Sequence, residues 1–181
     1  MRTVMMHTGT LLHDMPFKFP SAAIFFNHSP NFLIVAFYDG IVLVDVSTRS
    51  IQPFSDTPKN AYYQPHAISL AEEGDVVVVG CHSTLSVCAY DIASRKRKWI
   101  YNTANSVGAV CVHHAQLLVS VAYNPTLVLD LITGTQIAEM HNADGWIYGL
   151  GVIGGLCFIH EMPDHTPVLI WGRGGPRCAP R

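Results

Sequence analysis

The densest group of chemically capable side chains is His160, Glu161, Asp164 and His165, in the segment HEMPDH. Two imidazoles and two carboxylates make a donor set that zinc accepts. Zinc sites, however, use defined spacings, such as two histidines four apart on a helix. His160 and His165 stand five apart around Pro163 and match no such pattern, so the segment reads as an exposed loop. His113 and His114 are adjacent. Consecutive side chains on a strand point to opposite faces, so this pair is not expected to share one ion. Serine, histidine and aspartate are all present, but without the Gly-x-Ser-x-Gly elbow that exposes a nucleophile. Residues 149–155, GLGVIGG, have glycines spaced as in a phosphate loop. They lack the Lys-Ser/Thr that such a loop needs, and no helix follows to supply a dipole. Glycines where neighbouring backbones crowd are the simpler reading. No catalytic residue, cofactor site or metal site is assigned.

One charge run stands out: Arg95, Lys96, Arg97 and Lys98, followed by Trp99. It falls in a turn between two strand-like runs. A solvated hairpin tip of this kind resists edge-to-edge pairing. It is also the one cluster able to contact an acidic partner or a phosphate. On a chain of net charge −2 a lone basic cluster argues against nucleic acid as the partner.

The elements that must carry these residues are short strands in a repeating order. Residues 127–140, LVLDLITGTQIAEM, read as a hairpin: an apolar strand ending in Asp130, a Thr-Gly-Thr turn, then a second strand. Aligning the chain on this hairpin places Met5, Asp45, Asp91, Asp130 and Gly172 in one position, at separations of 40, 46, 39 and 42. That spacing is close to the ~40–45 residues of a four-stranded propeller blade. Strand-like runs fill each period: 22–29, 32–37, 41–46 and 50–54; then 66–70, 76–80, 85–91 and 98–101; then 107–112, 116–122, 126–131 and 135–140; and finally 146–152, 155–159 and 167–171. Inner runs are almost continuously apolar and outer ones alternate, as expected for sheets buried on both faces. Helical periodicity is absent, and eleven prolines and fourteen glycines punctuate the turns.

The expected fold is therefore all-β: a β-propeller-like domain over 1–172 of about four blades of four-stranded antiparallel sheet, an incomplete or partial propeller. Blade units fall at about 22–60, 61–103, 104–142 and 143–172, with two strands of a preceding blade at 1–21. The last unit shows three strands. The tail 173–181 reads as disordered, with no fourth strand in it.

These features resemble WD-repeat propellers, in which a histidine before the first strand and an aspartate between the second and third tie each blade together. Tyr38-Asp39-Gly40 followed by IVLVD is similar to that family's turn and third strand, with Asp39 in the network position. His66 before AISL, and His141 in HNADGWIYGLGV, resemble the family's histidine. The Trp-Asp dipeptide has become Val44-Asp45, Tyr90-Asp91, Leu129-Asp130 and Trp171-Gly172. Quinoprotein-like propellers, whose third strands end in Asp before Thr-Gly, resemble residues 129–134 nearly as well. The first resemblance implies a non-enzymatic protein-interaction scaffold with loops at the blade ends as its surface. The second implies a ligand-binding or catalytic propeller. In either, a His–Asp bond would satisfy polar groups inside an apolar wedge, so Asp39, His66 and His141 are structural in expectation.

Composition agrees with a packed, strand-rich chain. Of 181 residues, 49% are apolar and 13% charged, about half the usual ~25%. Disorder needs the opposite balance. Cys81, Cys88, Cys111 and Cys157 lie in apolar runs, where a free thiol behaves as a small hydrophobe; with Cys178 the count is odd. Reduced cysteines and the absence of a signal-peptide core point to the cytoplasm. The longest uncharged run, 145–159, holds five glycines and is shorter than the ~18–20 residues of a membrane helix. The expected partner is a protein, with no cofactor and no membrane.

Overall fold

The computed structural model describes residues 31–64, 67–71 and 75–140 in full, together with the strand backbones at 2–4, 11–14, 20–25, 146–153, 156–162, 169–172 and 175–178. Among the described residues every regular element is a strand. β1 (Arg2–Val4) and β2 (Leu11–Asp14) form an antiparallel pair. Four antiparallel sheets follow, each a four-strand meander. The first is β3 (Pro20–Phe25), β4 (Phe32–Phe37), β5 (Gly40–Asp45) and β6 (Ser50–Pro53). The second is β7 (Ile68–Leu70), β8 (Val76–Cys81), β9 (Ser86–Asp91) and β10 (Arg97–Asn102). The third is β11 (Val107–His113), β12 (Gln116–Val121), β13 (Thr126–Asp130) and β14 (Gln136–Met140). The fourth is β15 (Trp146–Ile153), β16 (Leu156–Met162), β17 (Leu169–Gly172) and β18 (Gly175–Cys178).

First strands of successive sheets lie side by side: β3 with β7, β7 with β11, and β11 with β15. The sheets therefore stand around a common axis as blades. Burial falls from the inside outwards. All six residues of β8 are buried, whereas β10 and β14 are mostly exposed. Alternation explains how one apolar run serves two interfaces. Val77 and Val79 pack with Ile34, Ile41, Phe54, Tyr63 and Tyr90 between the first two blades. Their neighbours Val76 and Val78 pack with Val107, Leu117, Val119 and Leu129 between the second and third. Gly80 sits at a close approach of these blades, where a Cβ would overlap Val107 and crowd Val110. The other face of the first blade, formed by Leu33, Val35, Val42 and Val44, is also buried.

One expectation is corrected. The sequence shows no fourth strand after Gly172, whereas Gly175–Cys178 pairs with Leu169–Gly172 and completes the fourth sheet. Its residues, GPRC, carry no β-branched side chain, and Pro176 lies opposite Trp171 on an outer strand, where proline is tolerated. The sheet ladder, rather than local propensity, makes this segment a strand.

Candidate interaction surface

The aspartates that mark the period cap the turn that follows each third strand. Asp45 accepts hydrogen bonds at Oδ1 from the Ser47 hydroxyl at 2.6 Å, the Ser47 N–H at 2.9 Å and the Thr48 N–H at 3.2 Å. Asp91 Oδ1 accepts from the Ser94 hydroxyl at 2.6 Å and N–H at 2.7 Å. Asp130 Oδ1 accepts from the N–H groups of Ile132 and Thr133 and from the Thr133 hydroxyl. Such bonds favour the charged carboxylate. The bonds from Ser47 and Thr48 hold Asp45 at about 2, below its ordinary 3.8. Ser94 lowers Asp91, and Thr133 lowers Asp130, in the same way. These residues stabilise turns and are not poised to move protons at neutral pH.

Successive blades are stitched by a repeated contact: the outer strand of one blade meets the third turn of the next. Ser55, just past β6, donates its N–H to the Arg95 carbonyl at 2.8 Å. Trp99 of β10 donates its indole N–H to the Leu131 carbonyl at 2.9 Å, and the Tyr101 hydroxyl donates to Gln136 Oε1 at 2.7 Å. The connection from β6 to β7 is pinned by buried phenols, since Tyr63 donates to the Pro58 carbonyl and Tyr90 to that of Asp56. Burial pushes both phenols far above their ordinary range, so they stay neutral donors.

The expected site residues are dispersed. Asp39 is exposed in the β4–β5 turn. His66 and His141 lie outside the described residues, as do Asp164 and His165 of the HEMPDH segment; His160 and Glu161, expected in a loop, instead belong to strand β16, where they pair with β15. By chain order His66 leads the second blade, whose equivalent turn, 82–85, contains no aspartate. Asp39 and His66 therefore belong to different blades. Arg95 and Lys96 lie in the β9–β10 turn, and Arg97 and Lys98 open β10. The Arg97 guanidinium donates to the Asp56 carbonyl at 2.9 Å, so this cluster also anchors the interblade connection. Residues 149–153 of the glycine-rich segment belong to strand β15 rather than to a loop before a helix.

The histidine pair departs from expectation. Its ring centroids are 4.1 Å apart. His113 ends β11, but His114 sits in the turn with a left-handed backbone, φ 52°, which cancels the alternation of a strand. Among the described residues no group of three or more histidine, cysteine or acidic side chains is placed to hold a metal. Cys81, Cys88 and Cys111 are free thiols, the first two buried, and burial pushes Cys88 up.

A surface that the sequence did not single out lies at one end of the blades. Tyr38 in the β4–β5 turn is 42% exposed, Leu85 in the β8–β9 turn 37%, and Tyr123 in the β12–β13 turn 73%. Tyr62, 52% exposed, joins them through the β6–β7 connection. Its carbonyl accepts from the His82 N–H and its own N–H donates to Ser83 Oγ, while the Ala61 N–H donates to the Tyr38 carbonyl. The ring of Tyr62 meets that of His82 edge-on at 5.7 Å. Leu85 and Tyr123 both have positive φ, 49° and 55°, an uncommon state for bulky residues. The available signal was a large apolar residue in the second turn of each of the first three blades.

No protein-family model matches the sequence, and no curated protein sequence matches it either. Solved structures do match. The WD40 repeats of RRP9 match with a TM-score of 0.73 at 12% identity, over 88% of this chain and 49% of that one. The β-propeller domain of Cps50 (Swd1) from Myceliophteria thermophila matches with a TM-score of 0.72 at 13% identity, over 86% and 52%. Hydrazine synthase from Kuenenia stuttgartiensis matches with a TM-score of 0.71 at 12% identity, over 94% and 49%. The fold is a WD-repeat-like β-propeller fold, and the chain spans about half the length of these structures. Among the described residues, no helix is long and apolar enough to cross a membrane.

Proposed function

We propose that this protein is a non-enzymatic interaction scaffold of the cytoplasm, and that it recognises a protein partner through the blade end bearing Tyr38, Tyr62, Leu85 and Tyr123. One observation carries this reading: four large apolar side chains are exposed at the same end of three successive blades. Aromatic anchors on rigid turns lose little conformational freedom on binding and are enriched at interaction hot spots. The strained turn backbones at Leu85 and Tyr123 agree with a constrained, functional rim. Likeness to WD40 domains supports the same class of role by analogy of fold. As a partial propeller, the domain would need further blades to complete a ring.

Partner capture from cytosolic extract, compared between the native chain and a Tyr62→Ser/Tyr123→Ser variant of equal melting temperature, tests the surface. Specific loss of one partner in the variant is expected; identical recovery overturns the assignment. The likeness to hydrazine synthase favours a second, catalytic reading. Pyrroloquinoline quinone or calcium should then raise the melting temperature, because a ligand of the native state stabilises it. On the scaffold reading neither does. Size-exclusion with circular dichroism tests partiality, since an open arc self-associates through uncovered blade faces.

A further inference from the structure

β10 is the terminal strand of its sheet, so one row of its backbone N–H and C=O groups faces no partner strand. At six residues it is longer than the other outer strands, β6, β14 and β18. Its side chains alternate between the two neighbouring blades. Trp99 and Tyr101 face the third blade and fill that space. Arg97, Ile100 and Asn102 pair with Tyr90, Cys88 and Ser86. Because Tyr90 and Cys88 belong to the core shared with the first blade, these three side chains face that blade.

On that side the interblade space is open. Gln52 of β6 pairs with Leu43 as Trp99 of β10 pairs with Ala89, each two residues before the turn aspartate, so a polar side chain stands where the second blade has an indole. A groove of about 350 Å³ runs between Asp56 and Thr57 of the interblade connection and Thr84, Ser86, Ile100 and Asn102 of the second blade, with Arg97 as the one basic residue in its lining. Ile100 is 47% exposed there, an aliphatic side chain without a full cover. Arg95, Lys96 and Lys98 flank Arg97 in sequence, so four of the chain's eleven basic residues follow one another from the β9–β10 turn into β10. The Asp91 carboxylate, kept charged by its bonds from Ser94, offsets part of that charge, and the basic residues remain in excess.

We propose that the β10 edge and its groove take an extended acidic peptide, which adds to the second sheet as a further strand. Backbone bonds to the edge would supply affinity, an aliphatic side chain against Ile100 would supply register, and carboxylates beside Arg97, Lys96 and Lys98 would supply specificity. A peptide fits better than nucleic acid. An unpaired strand edge complements a peptide backbone, and one cluster on a chain of net charge −2 gives little field for a polyanion. The proposal rests on the scaffold reading; neither Tyr62 nor Tyr123 lines the groove, although Thr84 and Ser86 flank Leu85 of the rim.

Fluorescence anisotropy of a labelled peptide of alternating Glu and Val, titrated with the full chain, tests it. Saturable binding that weakens with salt is expected. Lys96→Glu/Lys98→Glu should weaken it about tenfold. Ile100→Glu should weaken it too, and an alternating Lys–Val peptide should not bind. Circular dichroism confirms that each variant is folded. Unchanged binding to the Lys96→Glu/Lys98→Glu variant, or no binding to a cooperatively melting chain, overturns the proposal. So does tighter binding of duplex DNA through the same charges. Failure here with partner capture still dependent on Tyr62 and Tyr123 leaves the scaffold reading standing; loss of both removes it.

Discussion

The indole of Trp99 covers Gly134 of the next blade so closely that a Cβ added to that glycine would stand 2.5 Å from its Cδ2. The glycine also adopts φ 72°, which its Thr-Gly-Thr turn requires. One residue thus serves the turn capped by Asp130 and the docking of the preceding blade. Gly134→Ala should cost about 1–3 kcal/mol, from backbone strain and from overpacking against the ring. In a Trp99→Ala background the cost should fall to about 1 kcal/mol, the backbone part alone. Urea unfolding of the four-member cycle measures the difference; equal costs in both backgrounds would remove the Trp99 contact from the explanation.

Acid should loosen the third turns together. The carboxyls of Asp45, Asp91 and Asp130 are lowered by hydrogen bonds to their turns, Asp45 to about 2. A depressed folded-state value stabilises above the unfolded value, near 3.8 for Asp45, and that stabilisation is lost as pH falls through the folded one. The melting temperature should therefore decline between about pH 4 and pH 2. It should decline less in a variant with all three aspartates changed to Asn, which keeps an acceptor but cannot titrate.

Packing between blades should dominate stability. Leu117 is fully buried between the second and third blades, and Leu117→Ala should cost about 2–5 kcal/mol. Ile137→Ala on the exposed outer strand β14 should stay within about 0.5 kcal/mol. Denaturant midpoints of the two variants make the comparison.

Thiol reactivity should follow burial. Cys81 and Cys88 lie in the core between the first two blades, and Cys88 is held further in its thiol form by burial. Both should resist an aromatic disulfide reagent in the native state and react on unfolding, whereas half-buried Cys111 reacts earlier. Rapid native labelling of Cys88 would contradict the packing described.

Strand placement was legible because it depends on local pattern. The runs at 32–37, 76–80 and 116–122 coincide with β4, β8 and β12 to within a residue or so. The turn aspartates were legible as a ruler for the same reason, since each cap is made to residues two or three positions away. Strand β18 was not, because its partner rather than its composition makes it a strand. Nor was the proximity of His113 and His114, which depends on one left-handed residue.

The sequence by itself determined the all-β class, the blade period and the place of the turn aspartates, because alternation and spacing act over a few residues. Tertiary structure alone decided which faces meet. It set Trp99 on Gly134, left the Gln52 side of β10 open, and gathered Tyr38, Tyr62, Leu85 and Tyr123 at one end. Those relationships join residues tens of positions apart, and they exist only after whole sheets have stacked to bury their apolar faces.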